Sequence, residues 1–140
     1  MAELNIVEKV IALEGVDLLK GLTPDQLARI ATIATEVRVS PGEIVVNPIT
    51  RPDALFVVLD GGVSLTKDGA EIHVAKQNEV LGSWALFDDE PLPVTGTATE
   101  DTRLLRIARD DFYELLSDNV GITTTVFSTI VKRFRMLVGQ

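Results

Sequence analysis

The chain has almost none of the histidine and cysteine side chains on which many catalytic and metal sites are built. His73 is the only histidine among 140 residues, and there is no cysteine, so neither a His-rich metal site nor a thiolate nucleophile can be assembled. The acidic run from Asp88 to Glu90 is typical of a solvated loop rather than of a general acid and base pair. His73 lies between Ile72 and Val74 in a strand pattern and is expected to point away from them, toward solvent. We therefore expect neither enzymatic activity nor a metal site.

The composition is that of a single globular domain. The length suffices for one hydrophobic core, and 46% apolar with 24% charged residues argues against disorder or a fibrous repeat. The net charge is −8, from 13 Lys and Arg against 21 Asp and Glu, and such a surface repels a phosphate backbone. We expect one domain over residues 1–140 and no direct nucleic-acid partner.

The sequence also favours a cytoplasmic location. No segment approaches the roughly 20 apolar residues that are needed to span a bilayer. The N-terminal segment carries Glu3, Glu8 and Glu14 without a cationic leader, and the lack of cysteine fits a reducing compartment. We expect no membrane insertion by this chain.

Residues 1–36 are predicted to form N-terminal helices. From Asn5 to Leu13 apolar residues recur at helical spacing, and Gly15 closes the segment as a C-terminal glycine would. After one turn of helix in Val16–Leu22, Thr23 begins a Thr-x-x-Gln capping box with proline at the first helical position. This second helix is expected to run to about Thr35.

In residues 37–108 the apolar period changes to about two, which predicts strands. Turn sequences such as Ser40-Pro41-Gly42 and Asp60-Gly61-Gly62 separate them. The expected strands are Val37–Val39, Glu43–Val46, Ala54–Leu59, Val63–Thr66, Ile72–Val74, Thr95–Ala98 and Thr102–Ile107. Short strands at such even spacing predict an antiparallel β-roll of the jelly-roll-like kind.

Residues 109–140 return to helical periodicity. Asp110 and Asp111 begin one helix, and a longer one starts near Val120. The broad apolar stripe of the longer helix includes Phe127, Ile130, Phe134 and Leu137. The expected fold class is thus mixed α+β and mainly β, with an antiparallel β-roll flanked by N-terminal and C-terminal helices.

This order of elements resembles the cyclic nucleotide-binding domain family. The resemblance extends from about Val16 to Leu137, and among its pieces are Pro41–Ile44, Asp53–Gly61 and Glu100–Ile107. It implies tight corners of the roll at Gly42, Gly61 and Gly82, where glycine permits a positive φ angle. Asn78 stands where the family has a further glycine and also tolerates that region. Pro48–Thr50 replaces the family's Glu-Gly-Asp turn, so this corner must be built differently.

The family's phosphate-binding cassette runs Gly-Glu-(apolar)-Ala-Leu, then a short loop, then Pro-Arg-x-Ala-Thr. The corresponding positions here are Gly82, Ser83, Trp84, Ala85, Leu86, Pro91, Leu92, Pro93, Val94 and Thr95. By this resemblance, Ser83 replaces the ribose-binding Glu, Leu92 replaces the phosphate-binding Arg, and Pro93 removes a backbone N–H directed at the phosphate. All three changes weaken recognition of an anion or a sugar.

Two interpretations of the cassette remain open. The free amides of a helix start at Ser83-Trp84-Ala85, together with the Ser83 hydroxyl, could receive a small anion. Alternatively, Ser83 only caps this turn, and Trp84 or Leu92 fills the vacated pocket. We expect no cofactor, and the candidate ligands are a cyclic nucleotide or another small anion.

The apolar stripe of the last helix also has alternative interpretations. Its residues Phe127, Ile130, Phe134 and Leu137 could form a lid over a ligand, since the family uses its last helix in that way. They could equally contact a second copy of the domain, or simply pack in the core.

The resemblance implies a non-catalytic regulatory module of this family with weak or no cyclic nucleotide binding. Such a module would act as an interaction or signal-relay domain in a larger system, with a homodimer or other domains of a larger protein as partners. One alternative is a functional sensor of cAMP or cGMP. The other is a truncated activator-type transcription regulator, which requires a helix-turn-helix domain beyond Gln140.

Overall fold

The computed structural model describes residues 4–49, 53–82 and 93–139. Helices precede and follow a set of short strands, as the change of apolar period predicts. In chain order the elements are α1 (Ile6–Glu14), a 3-10 turn (Asp17–Leu19), α2 (Pro24–Ile33), β1 (Ala34–Val39), β2 (Ile44–Val46), β3 (Ala54–Asp60), β4 (Val63–Lys67), β5 (Ala70–Ala75), β6 (Val80–Leu81), β7 (Thr95–Ala98), β8 (Thr102–Ala108), α3 (Arg109–Asp118) and α4 (Val120–Leu137).

The strands form two antiparallel sheets. Sheet A has the strand order β1-β8-β3-β6, and sheet B has the order β2-β7-β4-β5. Each pairing between described neighbours is antiparallel. The expected fold class, a mixed α+β fold with an antiparallel β-roll between helices, is therefore confirmed.

The central strands of sheet A, β3 and β8, are buried on both faces. Val57 of β3 lies opposite Leu105 of β8, and both pack against the helices. Their neighbours Val58 and Leu104 also lie opposite each other but pack inside the roll. Because successive residues of a strand point to opposite faces, β3 and β8 contribute to two hydrophobic cores, one beneath the helices and one inside the roll. These two strands fix the helices relative to the roll.

Capping boxes begin both N-terminal helices. The Thr23 side chain accepts from the backbone N of Gln26, and the Gln26 side chain accepts from the backbone N of Thr23. This confirms the predicted box, including Pro24 at the start of α2. Asn5 and Glu8 make the same reciprocal pair at the start of α1. Each box satisfies two donors that a helix start leaves free.

The boundary between α2 and the roll differs from the prediction. Helix α2 ends at Ile33 rather than about Thr35, and β1 begins at Ala34 rather than Val37. Ala34 is 1% exposed and pairs with Ile107 of β8. Pairing with β8 therefore extends β1 back to Ala34, although the apolar spacing of residues 34–36 also suits a helix.

Gly15 does end α1, but not in the conformation most typical of a C-terminal glycine. Its φ angle is −81°, in the right-handed region, whereas such glycines usually adopt the left-handed region. Its N–H lies near the carbonyls of Ala12 and Leu13, and the chain continues directly into the 3-10 turn.

The roll corners adopt the backbone conformation that the glycine pattern predicts. The φ angles are +89° at Gly42, +92° at Gly61 and +72° at Gly82, and Asn78 has +72°. At the Pro48–Thr50 corner, the Asn47 side chain accepts a hydrogen bond from the backbone N of Ile49 at 3.0 Å. Thr50 itself lies outside the described residues.

Gly61→Ala should destabilise the domain much more than Gly42→Ala. Both residues have φ near +90°, but a Cβ at Gly61 would lie 2.7 Å from the Asp101 carbonyl oxygen, while one at Gly42 would meet nothing within 4 Å. Strain alone predicts a loss of about 1–2 kcal/mol at Gly42, and overpacking adds about 1–3 kcal/mol at Gly61. Urea denaturation of both variants measures the difference, and equal losses would contradict this explanation.

Candidate functional site

The cassette segment leaves sheet A and returns to sheet B. Gly82 follows β6, whose residue Leu81 pairs with Phe56 in the middle of β3. At the other end Thr95 begins β7 and pairs with Thr66 of β4. The segment between them therefore connects the two sheets of the roll, and its two ends are fixed by strand pairing.

Part of the predicted cassette lies outside the described residues. Ser83, Trp84, Ala85 and Leu92 belong to that part, as does the acidic run from Asp88 to Glu90. Gly82, Pro93, Val94 and Thr95 are described; Pro93 is exposed, and the other three are half-buried. The structure thus shows how the cassette begins and ends, while the roles of its central residues remain predictions.

Val46, Gly96 and Leu65 form an apolar row across sheet B, next to the point where the cassette segment enters β7. Gly96 of β7 pairs with Val46 on one side and with Leu65 on the other. A Cβ at Gly96 would lie 3.1 Å from the Val46 Cβ and 3.3 Å from the Leu65 Cδ2. The two side chains therefore close over the glycine and pack with the interior of the roll. The sequence reasoning missed this row, although a glycine within a strand is a signal of close packing.

His73 lies at the edge of this row. It pairs with Leu65 across β4 and β5, so the two side chains share a face of sheet B. Its Nε2 lies 2.6 Å from the Glu79 Oε2. The side chain is 54% exposed, as expected. The expected direction is wrong, because His73 lies on the face of sheet B that carries Leu65, and Ile72 on the opposite face is 57% exposed. Among the residues that the structure describes, no three His, Asp or Glu side chains are placed to hold a metal ion.

A charged cluster, also missed by the sequence reasoning, lies on the other sheet. The Glu36 side chain of β1 is 2% exposed, and its Oε2 accepts a hydrogen bond from the Arg38 Nε at 3.0 Å. Its Oε1 lies 3.6 Å from the Arg103 NH1 and has no hydrogen-bond partner among the described residues. Arg103 also binds Asp60, with 2.7 Å between NH2 and Oδ2. The hydrogen bond that Arg103 donates to Asp60 raises the pKa of Arg103, and desolvation opposes that shift less strongly.

Helix α4 packs through one face and leaves the other open. Its residues Ile122 and Val126 are buried, and Ile130 packs against the same core. The Thr129 Oγ1 donates to the Lys20 carbonyl at 3.0 Å, next to the 3-10 turn. The remaining predicted stripe residues Phe127, Phe134 and Leu137 are 65%, 63% and 87% exposed. Of the four stripe residues, only Ile130 is used in the core.

A sequence profile decides the family. The profile of the cyclic nucleotide-binding domain matches residues 36–119, from within β1 to the end of α3. The chain belongs to this family. Domains of this family are regulatory modules. Among the described residues, no helix is long and apolar enough to cross a membrane.

The curated relatives of this cyclic nucleotide-binding domain are much longer proteins. Lysophospholipase nte1 of Aspergillus oryzae is 29% identical over 125 residues, which is 86% of this chain and 8% of that protein. The cAMP-dependent protein kinase regulatory subunit of Aspergillus niger is 29% identical over 106 residues, which is 74% of this chain and 26% of that protein. The chain thus spans about a quarter or less of these relatives.

A solved structure of similar size has the same fold. It is the N-terminal domain of a transcriptional regulator from Streptomyces coelicolor A3(2), with a TM-score of 0.82 and 27% identity. The alignment covers 91% of this chain and 92% of that one. The similarity therefore includes the flanking helices as well as the roll.

Arg103→Met should destabilise the domain more than Arg106→Met on the same strand. Loss of Arg103 removes a partner of the buried Glu36 carboxylate, whereas Arg106 makes an ion pair at 3.5 Å with Asp53, which is 78% exposed. We expect a loss of about 2–3 kcal/mol for Arg103→Met and at most about 1 kcal/mol for Arg106→Met. Chemical denaturation provides the free energies of unfolding.

The double variant Glu36→Leu/Arg103→Met tests the cause of that loss. If an unpaired buried carboxylate is responsible, the double variant should be more stable than Arg103→Met alone. A double variant that is less stable than Arg103→Met would contradict the assignment.

Proposed function

We propose that this domain is a non-catalytic regulatory module that binds cyclic nucleotides weakly or not at all. It acts by contact with other protein surfaces within a larger system. The observation that carries the proposal is the absence of a cation and of a backbone donor at Leu92 and Pro93, in a chain whose residues 36–119 match the family profile.

The chemistry of the substituted positions supports weak binding. A cyclic phosphate entering a roll loses its hydration and needs a charged donor in return. Leu92 offers no charge, Pro93 offers no N–H, and the Ser83 hydroxyl is a weaker acceptor for a ribose hydroxyl than a carboxylate. The loss is on the order of 2–5 kcal/mol, which corresponds to roughly 30-fold to several thousand-fold in affinity.

The described strands and corners support a change that is confined to the side chains of the cassette and leaves the backbone of the roll unchanged. Gly82 keeps a positive φ angle of +72°, and β6 and β7 hold the two ends of the cassette on opposite sheets. Because the corners and registers are those of an ordinary roll, the proposed loss of affinity comes from the side chains of the cassette.

A sensor of cAMP or cGMP is the second candidate function. It is favoured by the similarity to a protein named as a cAMP-dependent protein kinase regulatory subunit. The two candidates differ in affinity: a sensor should bind its nucleotide in the micromolar range, whereas the proposed module should not.

Calorimetry and thermal shift with cAMP and cGMP distinguish the two functions. We expect cAMP or cGMP at about 1 mM to stabilise the wild type by at most about 2 kcal/mol, where a micromolar ligand would stabilise it by about 4 kcal/mol. The variant Ser83→Glu/Leu92→Arg/Pro93→Ala should gain a nucleotide-dependent rise in melting temperature.

The control is Ile72→Arg, which adds one cation at a residue that is 57% exposed on β5, an edge strand that β4 separates from β7. This variant should show no nucleotide-dependent shift. Micromolar binding by the wild type would overturn the proposed function in favour of the sensor.

A further inference from the structure

The C-terminal half of α4 combines exposed apolar side chains with positive charge. We define the α4 tip as residues 131–138, which read Val-Lys-Arg-Phe-Arg-Met-Leu-Val. Every residue of the α4 tip is exposed, whereas Ile122 and Val126 are buried and hold the N-terminal half of the helix on the body of the domain. Apolar side chains that project into water in this way are stabilised when another surface covers them.

The apolar and the cationic side chains lie on different sides of the α4 tip. The four apolar residues that share one side, at intervals of three, three and one, are Val131, Phe134, Leu137 and Val138. Their exposed fractions range from 46% to 87%. The cations on the remaining side are Lys132, Arg133 and Arg135. The α4 tip is therefore an amphipathic segment whose apolar side is open to solvent.

Charge separates the α4 tip from the rest of the chain. No acidic residue follows Asp118 at the end of α3, so residues 119–140 have a charge of +3 and the remainder has −11, since the total is −8. Arg133 pairs with Asp17 of its own chain at 3.3 Å. Lys132 and Arg135 form no ion pair within the part of the chain that the structure describes. A negatively charged surface is therefore attracted by the α4 tip and repelled by the remainder.

We propose that the α4 tip binds to the surface of a lipid bilayer that contains anionic lipids. Its apolar side enters the boundary between headgroups and acyl chains, and Lys132 and Arg135 bind the negative groups of the lipids. The aliphatic parts of these cations lie along the apolar layer while their charged ends stay in water. A helix bound in this way lies in the interface, so a span of membrane-crossing length is not required. The proposal goes beyond the proposed function and does not depend on the cassette.

The shape of the α4 tip favours a lipid surface over an acidic protein. A projecting helix end is convex, and a protein partner would need a groove of matching shape with carboxylates beside it. A fluid bilayer adapts to a convex apolar side and supplies negative charge around it without such a groove. Repulsion between the acidic remainder and the same surface leaves the α4 tip as the part that approaches, which orients the domain on the bilayer.

Co-sedimentation of the full chain with vesicles tests the proposal. We expect binding to phosphatidylcholine vesicles that contain about 30% phosphatidylserine, and little binding to pure phosphatidylcholine, at about 0.1 M salt. Added salt should weaken the binding because it screens the cations of the α4 tip. No binding to the anionic vesicles even at about 0.01 M salt would overturn the proposal.

The apolar side is tested by Phe134→Ser/Leu137→Ser. Both side chains are exposed, so the double variant should fold, and its affinity for the anionic vesicles should fall by at least about 10-fold. The matched control is Val7→Ser/Ile11→Ser on α1, where the replaced side chains are 67% and 62% exposed. The control should bind as the wild type does. An equal loss in both double variants would contradict the assignment to α4.

The cationic side is tested by Lys132→Ser. This variant should bind the anionic vesicles about 5-fold more weakly, because one cation near the surface is removed. The control is Lys67→Ser, which removes an equal charge at an exposed residue of β4 and should leave the affinity unchanged. If both variants lost affinity to the same extent, net charge would explain the binding, and the assignment would be wrong.

A fluorescent label reports whether the apolar side enters the bilayer. The chain has no cysteine, so an environment-sensitive nitrobenzoxadiazole label can be attached to Val138→Cys or, as the control, to Ser128→Cys in the N-terminal half of α4. With anionic vesicles the emission of the label at residue 138 should shift to the blue, and that at residue 128 should stay as in water. No shift at residue 138 would overturn the proposal.

Two further measurements separate the lipid surface from other partners. Binding to poly-L-glutamate without binding to anionic vesicles would assign the α4 tip to an acidic polypeptide and overturn the proposal. Self-association in sedimentation velocity without vesicle binding would also overturn it. Nucleotide binding is measured in the absence of vesicles, so failure of the lipid proposal and failure of the weak-binding proposal are distinguishable.

Discussion

Strand β8 is the element on which the rest of the domain depends. It pairs with β1 on one side and β3 on the other, so it lies in the interior of sheet A. Leu105 packs beneath the helices, and its neighbour Leu104 packs inside the roll. Because one strand supplies both cores, displacement of β8 would separate the helices from the roll. The buried carboxylate of Glu36 on β1 adds a further constraint on β8, since it lies next to the side chain of Arg103 on that strand.

This arrangement explains how a roll can keep its form while its ligand site changes. The cassette is tied to sheet A by β6 and to sheet B by β7, and neither tie depends on the side chains at positions 83 and 92. We therefore propose that substitution of those side chains changes ligand affinity at little cost in folding stability. In the proposed function the domain acts through its outer surface, on which α4 exposes Phe127 and Phe134.

Much of the fold could be predicted from the sequence because its signals are local. Thr23 and Gln26 mark a helix start, and Gly42, Gly61 and Asn78 mark corners with positive φ angles. The two-residue strand β6 was missed because it is too short to show a period. The pair of Glu36 and Arg103 was missed because it joins residues that only the register of β1 and β8 brings together.

The apolar stripe of α4 shows a second limit of sequence reasoning. The pattern identified Ile130 and Phe134 as members of one stripe, yet Ile130 packs on the core and Phe134 does not. Periodicity reveals that a helix has apolar positions, but only the tertiary packing of Ile122, Val126 and Ile130 shows which of them face the body.

The central claim is that the cassette lacks the groups that hold a cyclic phosphate. Solution NMR tests it most directly, because the backbone amides of Gly82 and Thr95 report on the two ends of the cassette. We predict that their resonances shift little at about 10 µM cAMP or cGMP, a concentration that would largely saturate a micromolar site. Saturable shifts of both amides at micromolar nucleotide would contradict it.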